Sequence, residues 1–439
     1  MSVLASWQSH VSGNTGRVCA WFSTSGTMGL RINGAEFIGS DTNDGNVAYC
    51  DFSLPSADIF SEAEITLDGV MQKIQWTHKS STDSRPVWTE AVDREFRAIW
   101  LSCSNPYREV AKTAYWVNRL SPNLVIWLGD TMYHEPNNLT NYGVTRNNPE
   151  GGYNAAVSEA DDAWNAQRMF LLKPSVQMIS SMCPIIYQFD DHELMSDFRN
   201  DLTGMQAQFA FIDTQEKLDA IKLARVKLAV GTLHPWAASA DGQYYRVVDY
   251  GPVRFIVPDL VSESGARLGT TKMSSTQLSW YKSKLHTDKP FVIGAHTKTA
   301  TDGNADSWYY WGGLSGVGSQ LKDILDYIES NQISTWGVIT GDLHHPNVQY
   351  NENPQSLGSP TDFSPYLGVC SCAENQFDSS APTTSDIIWK KQGKAIGYLR
   401  IPLTSDYVEY TVLGLTRPLW RGRQNAGSNK LVYTNNVSL

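Results

Sequence analysis

The chain has 439 residues, 41% of them hydrophobic and 18% charged, the balance of an ordinary folded protein large enough to bury a core without disulfide staples. A formal net charge of −10 and the lack of any basic run argue against a nucleic-acid-binding surface. No uninterrupted apolar run approaches the roughly 18 residues of a membrane span, and MSVLASWQSHVSG at the start shows neither a basic-then-apolar leader nor a twin-arginine signal. A cytoplasmic location is therefore expected if the sequence is whole, and a periplasmic or secreted one if a leader has been removed. The six cysteines, at 19, 50, 103, 183, 370 and 372, form no CxxC pair, so neither a disulfide framework nor structural zinc is expected.

Residues 1–92 show period-2 stretches, RVCAWFSTS, GLRINGAEF and EAEITLDGV, separated by Gly, Asn, Asp and Ser turns, which predicts a small β-sandwich-like module. From Phe96 the texture changes. FRAIWLSC reads as a buried strand, YREVAKTAYWVNRL as an amphipathic helix and NLVIWLGD as a second strand, a βαβ unit that places ligands at the strands' carboxyl ends. Residues 132–162, rich in Asn, Gly and Pro, are expected as a long loop at the mouth of a site. YYRVVDYG and VRFIVPD suggest a hairpin turned at Gly251-Pro252. TQLSWYKSKL and LKDILDYIES predict helices leading into the strands KPFVIGAH and WGVITGD, and AIGYLRIPL with YVEYTVLGL closes the chain as a terminal strand pair. The fold class expected is α/β, a four-layer αββα sandwich over 93–439 preceded by the β module.

Four segments that end apolar runs carry metal-ligand chemistry: LSCSNP around Cys103, WLGDTMY around Asp130 and Tyr133, YQFDDHE from Asp190 to Glu193, and VITGDLHH around Asp342 and His344. A carboxylate where a buried strand runs out into a loop needs something positive to bind, and the pattern recurs three times. Hydrolysis of a phosphate ester requires charge neutralisation on the non-bridging oxygens, a nucleophile at neutral pH and a proton for the leaving alkoxide; two metals about 3.5–4 Å apart supply the first two. Asp130, at the end of the most hydrophobic strand, is the candidate bridging carboxylate. Tyr133 and Cys103 would favour a trivalent or intermediate ion such as Fe(III). Each has a plainer alternative: a helix N-cap for Asp130, a packed aromatic for Tyr133 and a small buried apolar residue for Cys103. His192, beside Asp190, Asp191 and Glu193, is poorly suited to a core. His296 in FVIGAHTKT is open between metal ligand and hydrogen-bonding partner.

The motifs FRAIWLSCSNP, LVIWLGDTMYHE, YQFDDHEL, VRFIVPD, TQLSWYKSKL and VITGDLHH, in this order, resemble the alkaline phosphatase D (PhoD-like) metallophosphatases, relatives of the purple acid phosphatases. The resemblance implies a metallophosphatase using Fe(III) with Ca(II). Cys103, Asp130, Tyr133 and His344 would hold the iron, Asp191 and Asp342 the second ion, and His192 would be the general acid, oriented by Asp190 or Glu193. It implies attack on phosphorus by a hydroxide held between the ions, a phosphomonoesterase first and a phosphodiesterase on lipid or nucleotide diesters second. A non-catalytic carbohydrate- or surface-binding protein is the alternative from another class. Two departures stand out: Asp259-Leu260-Val261 replaces the family's Asp-Thr-Arg, and His296 falls where Gln is usual, which would let Zn or Mn into the second position. The partner expected is a phosphate ester; oligomeric state is not indicated.

Overall fold

The computed structural model describes residues 3–10, 15–42, 46–53, 60–78, 95–104, 109–131, 166–188, 190–194, 202–208, 212–223, 244–250, 252–262, 272–296, 318–333, 336–341, 346–351, 366–370, 387–390, 395–402, 407–414, 417–425 and 431–433. Seven strands come first: β1 (Val3–His10), β2 (Thr15–Phe22), β3 (Thr27–Ile32), β4 (Ala35–Asp41), β5 (Val47–Ser53), β6 (Phe60–Leu67) and β7 (Val70–His78). They make two antiparallel sheets, ordered β1-β2-β5 and β4-β3-β6-β7. Two hairpins turn on Asn33-Gly34 and Asp68-Gly69, every one of these residues at positive φ, the two-residue turn whose twist matches that of its strands.

β2 shows how period-2 patterning places this module. Val18, Ala20 and Phe22 point into a core shared with Met28, Leu30 and Ile32 of β3 and Ala63, Ile65 and Leu67 of β6. Cys19 and Trp21 point the other way, and with Ala5 and Trp7 of β1 they join a second core that reaches from Ile99 to Leu413. The first sheet is therefore buried on both faces, one within the module and one against the rest of the chain. The expected junction near residue 92 lies outside the described residues.

The larger part contains β8 (Glu95–Leu101), α1 (Ala111–Leu120), β9 (Leu124–Leu128), α2 (Pro174–Met182), β10 (Ile185–Gln188), α3 (Asp191–Leu194), α4 (Leu202–Gln208), β11 (Arg246–Tyr250), β12 (Val253–Val257), α5 (Ser275–Leu285), β13 (Phe291–His296), α6 (Gly318–Ser330), β14 (Trp336–Thr340), β15 (Asn347–Asn351), β16 (Tyr366–Cys370), β17 (Ile387–Lys390), β18 (Ile396–Pro402), β19 (Tyr407–Leu413), β20 (Pro418–Asn425) and β21 (Leu431–Tyr433). Two seven-stranded mixed sheets result, ordered β10-β9-β8-β18-β19-β20-β21 and β11-β12-β13-β14-β16-β15-β17. β8, β9 and β10 run parallel, as do β12, β13, β14 and β16. Strands with both faces covered read as apolar runs, and LVIWL of β9 is buried at every position.

The inner faces meet through Phe96, Trp100, Ile126 and Leu128 on one side and Phe255, Val257, Ile293 and Ile339 on the other. On the outer face of the first sheet, Trp116 and Val117 of α1 and Val176 and Ile179 of α2 pack beside Trp7 and Trp21. Tyr281 and Leu285 of α5 and Ile324 and Ile328 of α6 cover the second sheet. α5 starts where sequence chemistry says it should: Ser274 accepts the Gln277 N–H at 3.1 Å, and Lys282 and Lys284 lie in its last turn.

β11 and β12 pair antiparallel as expected, with Tyr250 opposite Val253; Gly251 lies outside the described residues. Beyond the anticipated β18–β19 pair the sheet continues into β20 and β21. Residues 132–162, the expected loop, fall outside the described residues.

Candidate metal centre

The parallel strands β8, β9 and β10 end side by side, and each hands the chain to a residue with metal-ligand chemistry. The backbone is unusual at these ends. Cys103, Gly129 and Asp130 all have positive φ, at 53°, 78° and 58°. That region is uncommon for residues with a side chain, and its clustering at two adjacent strand ends marks a place where geometry is imposed. Gly129 is required for a second reason: a Cβ there would lie 2.5 Å from the Cβ of Asp190 and 2.7 Å from its nitrogen. The ends of β9 and β10 are thus in direct contact.

Asp130, Asp190 and Asp191 are all buried, and one carboxylate oxygen from each lies within 4.8 Å of the others. Cys103, wholly buried, places its Sγ 3.3 Å from Asp130 Oδ2, and Ser102 Oγ is 3.1 Å from the same sulfur. The Cys103 N–H also donates to the Gly129 carbonyl at 3.2 Å, fixing β8's end against β9's. Asp190 precedes the short turn α3 and accepts the Asp191 N–H on Oδ1 at 2.9 Å.

Glu193 holds the two loops together. Its Oε2 accepts the N–H of Asp130 at 2.9 Å and of Asp190 at 2.6 Å; its Oε1 accepts the Thr131 N–H at 2.5 Å and hydroxyl at 2.9 Å. Burial raises the Glu193 pKa, and the donors aimed at the carboxylate oppose that rise by favouring its charged form. With both oxygens doubly engaged, the carboxylate has no acceptor capacity left to orient His192. His192 itself is half-buried on α3, between Asp191 and Glu193.

Three ionisable carboxylates packed this closely out of water repel one another unless a cation lies among them, so the donor set fits metal. The thiol of Cys103 beside Asp130 adds a soft donor at one edge of this oxygen set. Tyr133, Asp342 and His344 lie outside the described residues. Gly341, which precedes Asp342, packs against the first sheet's strand ends, where an added Cβ would fall 3.3 Å from that of Leu128.

His296 is placed differently. It alternates with Ala295 on β13, and its ring faces α5, where Nε2 is 3.0 Å from the Tyr281 hydroxyl. Trp336 Nε1 donates to the same phenol oxygen at 3.4 Å. Burial lowers the His296 pKa to about 3, so the ring is neutral. Asp259, at the substituted Asp-Leu-Val, forms a turn: Oδ1 accepts the Val261 and Ser262 N–H groups at 3.1 and 2.8 Å, and Oδ2 accepts the Ser262 hydroxyl.

A solved PhoD structure superposes with a TM-score of 0.73 over 99% of this chain and 92% of its own, at 11% identity. Purple acid phosphatase PPD1 from yellow lupin (Lupinus luteus) seeds follows with 0.57 over 98% and 73%, at 10% identity. Among curated proteins, homoserine O-acetyltransferases of Bacillus cereus and Bacillus thuringiensis are 25% identical over 154 residues, 33% of this chain; the chain spans about half, 47%, of their length. The fold is that of the metallophosphatases. Residues 98–369, more than half of the sequence, match the PhoD-like phosphatases, and the chain belongs to that family.

Proposed function

We propose that this protein is a phosphoric ester hydrolase, a phosphomonoesterase first, whose metal ions are held by Cys103, Asp130, Asp190 and Asp191 together with Tyr133, Asp342 and His344. The observation that carries the reading is the convergence of Asp130, Asp190 and Asp191 within 4.8 Å at the buried ends of β9 and β10, in a chain of this family. Bound ions, Fe(III) with Ca(II) as the expected pair, would neutralise charge on the phosphoryl oxygens and lower the pKa of a water nucleophile. The residues of the chain do the rest. Asp130 stands between the thiol of Cys103 and the carboxylates of β10's loop, where a bridging ligand belongs. His192, half-buried at the edge of the cluster, delivers a proton to the departing alkoxide. Asp190 is assigned to the metal cluster rather than to orienting His192. The layer order helix, sheet, sheet, helix, with residues 1–92 as an attached β module, belongs to the same reading.

Metal analysis of purified protein, with a screen of mono-, di- and triester chromogenic substrates, tests it. Iron, a visible tint from thiolate or phenolate charge transfer, and monoester turnover are expected. Colourless, active protein holding only zinc or manganese would remove Cys103 and Tyr133 from the iron site, and turnover of diesters alone would move the assignment to a phosphodiesterase.

A further inference from the structure

Resting on that reading, we propose that Glu193 is a positioning residue whose carboxyl group sets the separation of the metal-holding carboxylates by tying the loop after β9 to the loop after β10. The two oxygens collect donors from residues 62 and 63 positions earlier and from Asp190, three positions earlier. Asp130 and Asp190 are therefore held through their own backbone nitrogens, and their side chains leave that common anchor toward the same 4.8 Å cluster. The anchor is buried completely, so no water replaces it. Gly129 completes the arrangement, because its missing side chain is what lets Asp190 come close enough for one carboxylate to span both loops.

All four contacts are donors to Glu193, and an acceptor-only group is needed to meet them. Glu193→Gln, isosteric as it is, turns an amide NH2 against backbone N–H groups whichever way it flips. On one side it faces Asp130 and Asp190; on the other it faces Thr131. The Thr131 hydroxyl is the one contact that can be removed gently: Thr131→Val keeps the shape and deletes it, and Thr131→Ser restores it.

The test uses the full chain, with Mn(II) titrated and the free and bound ion followed by electron paramagnetic resonance, at a temperature where circular dichroism shows each variant folded. Glu193→Gln is expected to weaken Mn(II) binding roughly 10- to 100-fold and to change the spectrum of the bound ion; Thr131→Val should fall near the lower end, about tenfold, with Thr131→Ser returning toward the parent. If Asp130→Asn loses the ion while Glu193→Gln and Thr131→Val keep parental affinity and spectrum and merely melt earlier, Glu193 is structural and the positioning role is wrong. If the parent and Asp130→Asn bind Mn(II) alike, the metal site itself is misassigned and the role falls with it.

Discussion

Tyr281 and His296 face each other across the layer between α5 and the second sheet, the phenol oxygen 3.0 Å from Nε2, in a place where the imidazole stays neutral. Through this contact His296 ties β13 to α5.

Its burial has a pH signature. The folded His296 titrates at about 3, whereas the unfolded ring takes up its proton near the ordinary value of about 6.5. Below that value the unfolded chain holds a proton that the folded chain does not, so His296 contributes stability above about pH 6.5 and loses it as the pH falls toward 3, by up to about 1.4 kcal/mol per pH unit. Urea unfolding at several pH values should show a shallower acid slope for His296→Gln than for the parent. Metal titration of the same variant separates ligand from hydrogen-bonding partner: unchanged stoichiometry is expected, and loss of one ion would make His296 a ligand.

His192→Ala should leave the metal content intact while lowering kcat by about 10²- to 10⁴-fold for esters with poor leaving groups. Nitrophenyl esters, whose leaving oxygen needs little protonation, should lose less. Equal losses across a leaving-group series would take His192 out of the acid role.

The crowded carboxylates carry a cost when no cation is present. Asp190→Asn keeps an acceptor for the Asp191 N–H and removes one buried charge, so the metal-free variant should melt above the metal-free parent, by about 1 °C for each kcal/mol of repulsion relieved in a chain of this length. Added metal should stabilise the parent by about 2.7 kcal/mol at a hundred times its Kd and the variant far less. Scanning calorimetry with and without chelator decides it; a metal-free Asp190→Asn that melts below the parent contradicts the repulsion.

Trp7 is fully buried in the core that also holds Trp116 and Tyr398. Trp7→Ala is expected to cost about 3–5 kcal/mol. A chain starting at residue 93 should be insoluble or molten, since it would expose the apolar face that Trp7 and Trp21 cover. Soluble expression of that fragment with a sharp melting transition would show the β module to be dispensable.

How far these features could be read from residues alone depended on whether the signal was local. FRAIWLSC, its helix and NLVIWLGD were legible because strands buried on both faces read as apolar runs, unbroken in LVIWL and interrupted by Arg97 in FRAIWL. β20 was not. Its inward positions are Pro418, Trp420, Gly422 and Gln424, and the last bridges the two sheets, accepting from Tyr410 and donating to the Trp336 carbonyl at 2.9 Å. A satisfied amide in a core looks like a surface residue in sequence. The carboxylates of Asp130, Asp190 and Asp191 drew notice because they stand at the ends of apolar runs. Glu193 did not announce its task, because its partners are backbone nitrogens, one pair of them more than sixty residues away.

The second core gathers Ala5, Trp7, Cys19 and Trp21 from the start of the chain and Ile396, Tyr398 and Leu413 from near its end. On a ribosome the tryptophan face of β1 and β2 emerges long before its last partners, Tyr398 and Leu413, which are made several hundred residues later. At about 5–20 residues per second that is a wait on the order of tens of seconds. β8 waits as long, for β18 is its antiparallel neighbour. During that interval an apolar sheet stands open to other chains, so yield in a living cell should hinge on what shelters the nascent β1–β2 face.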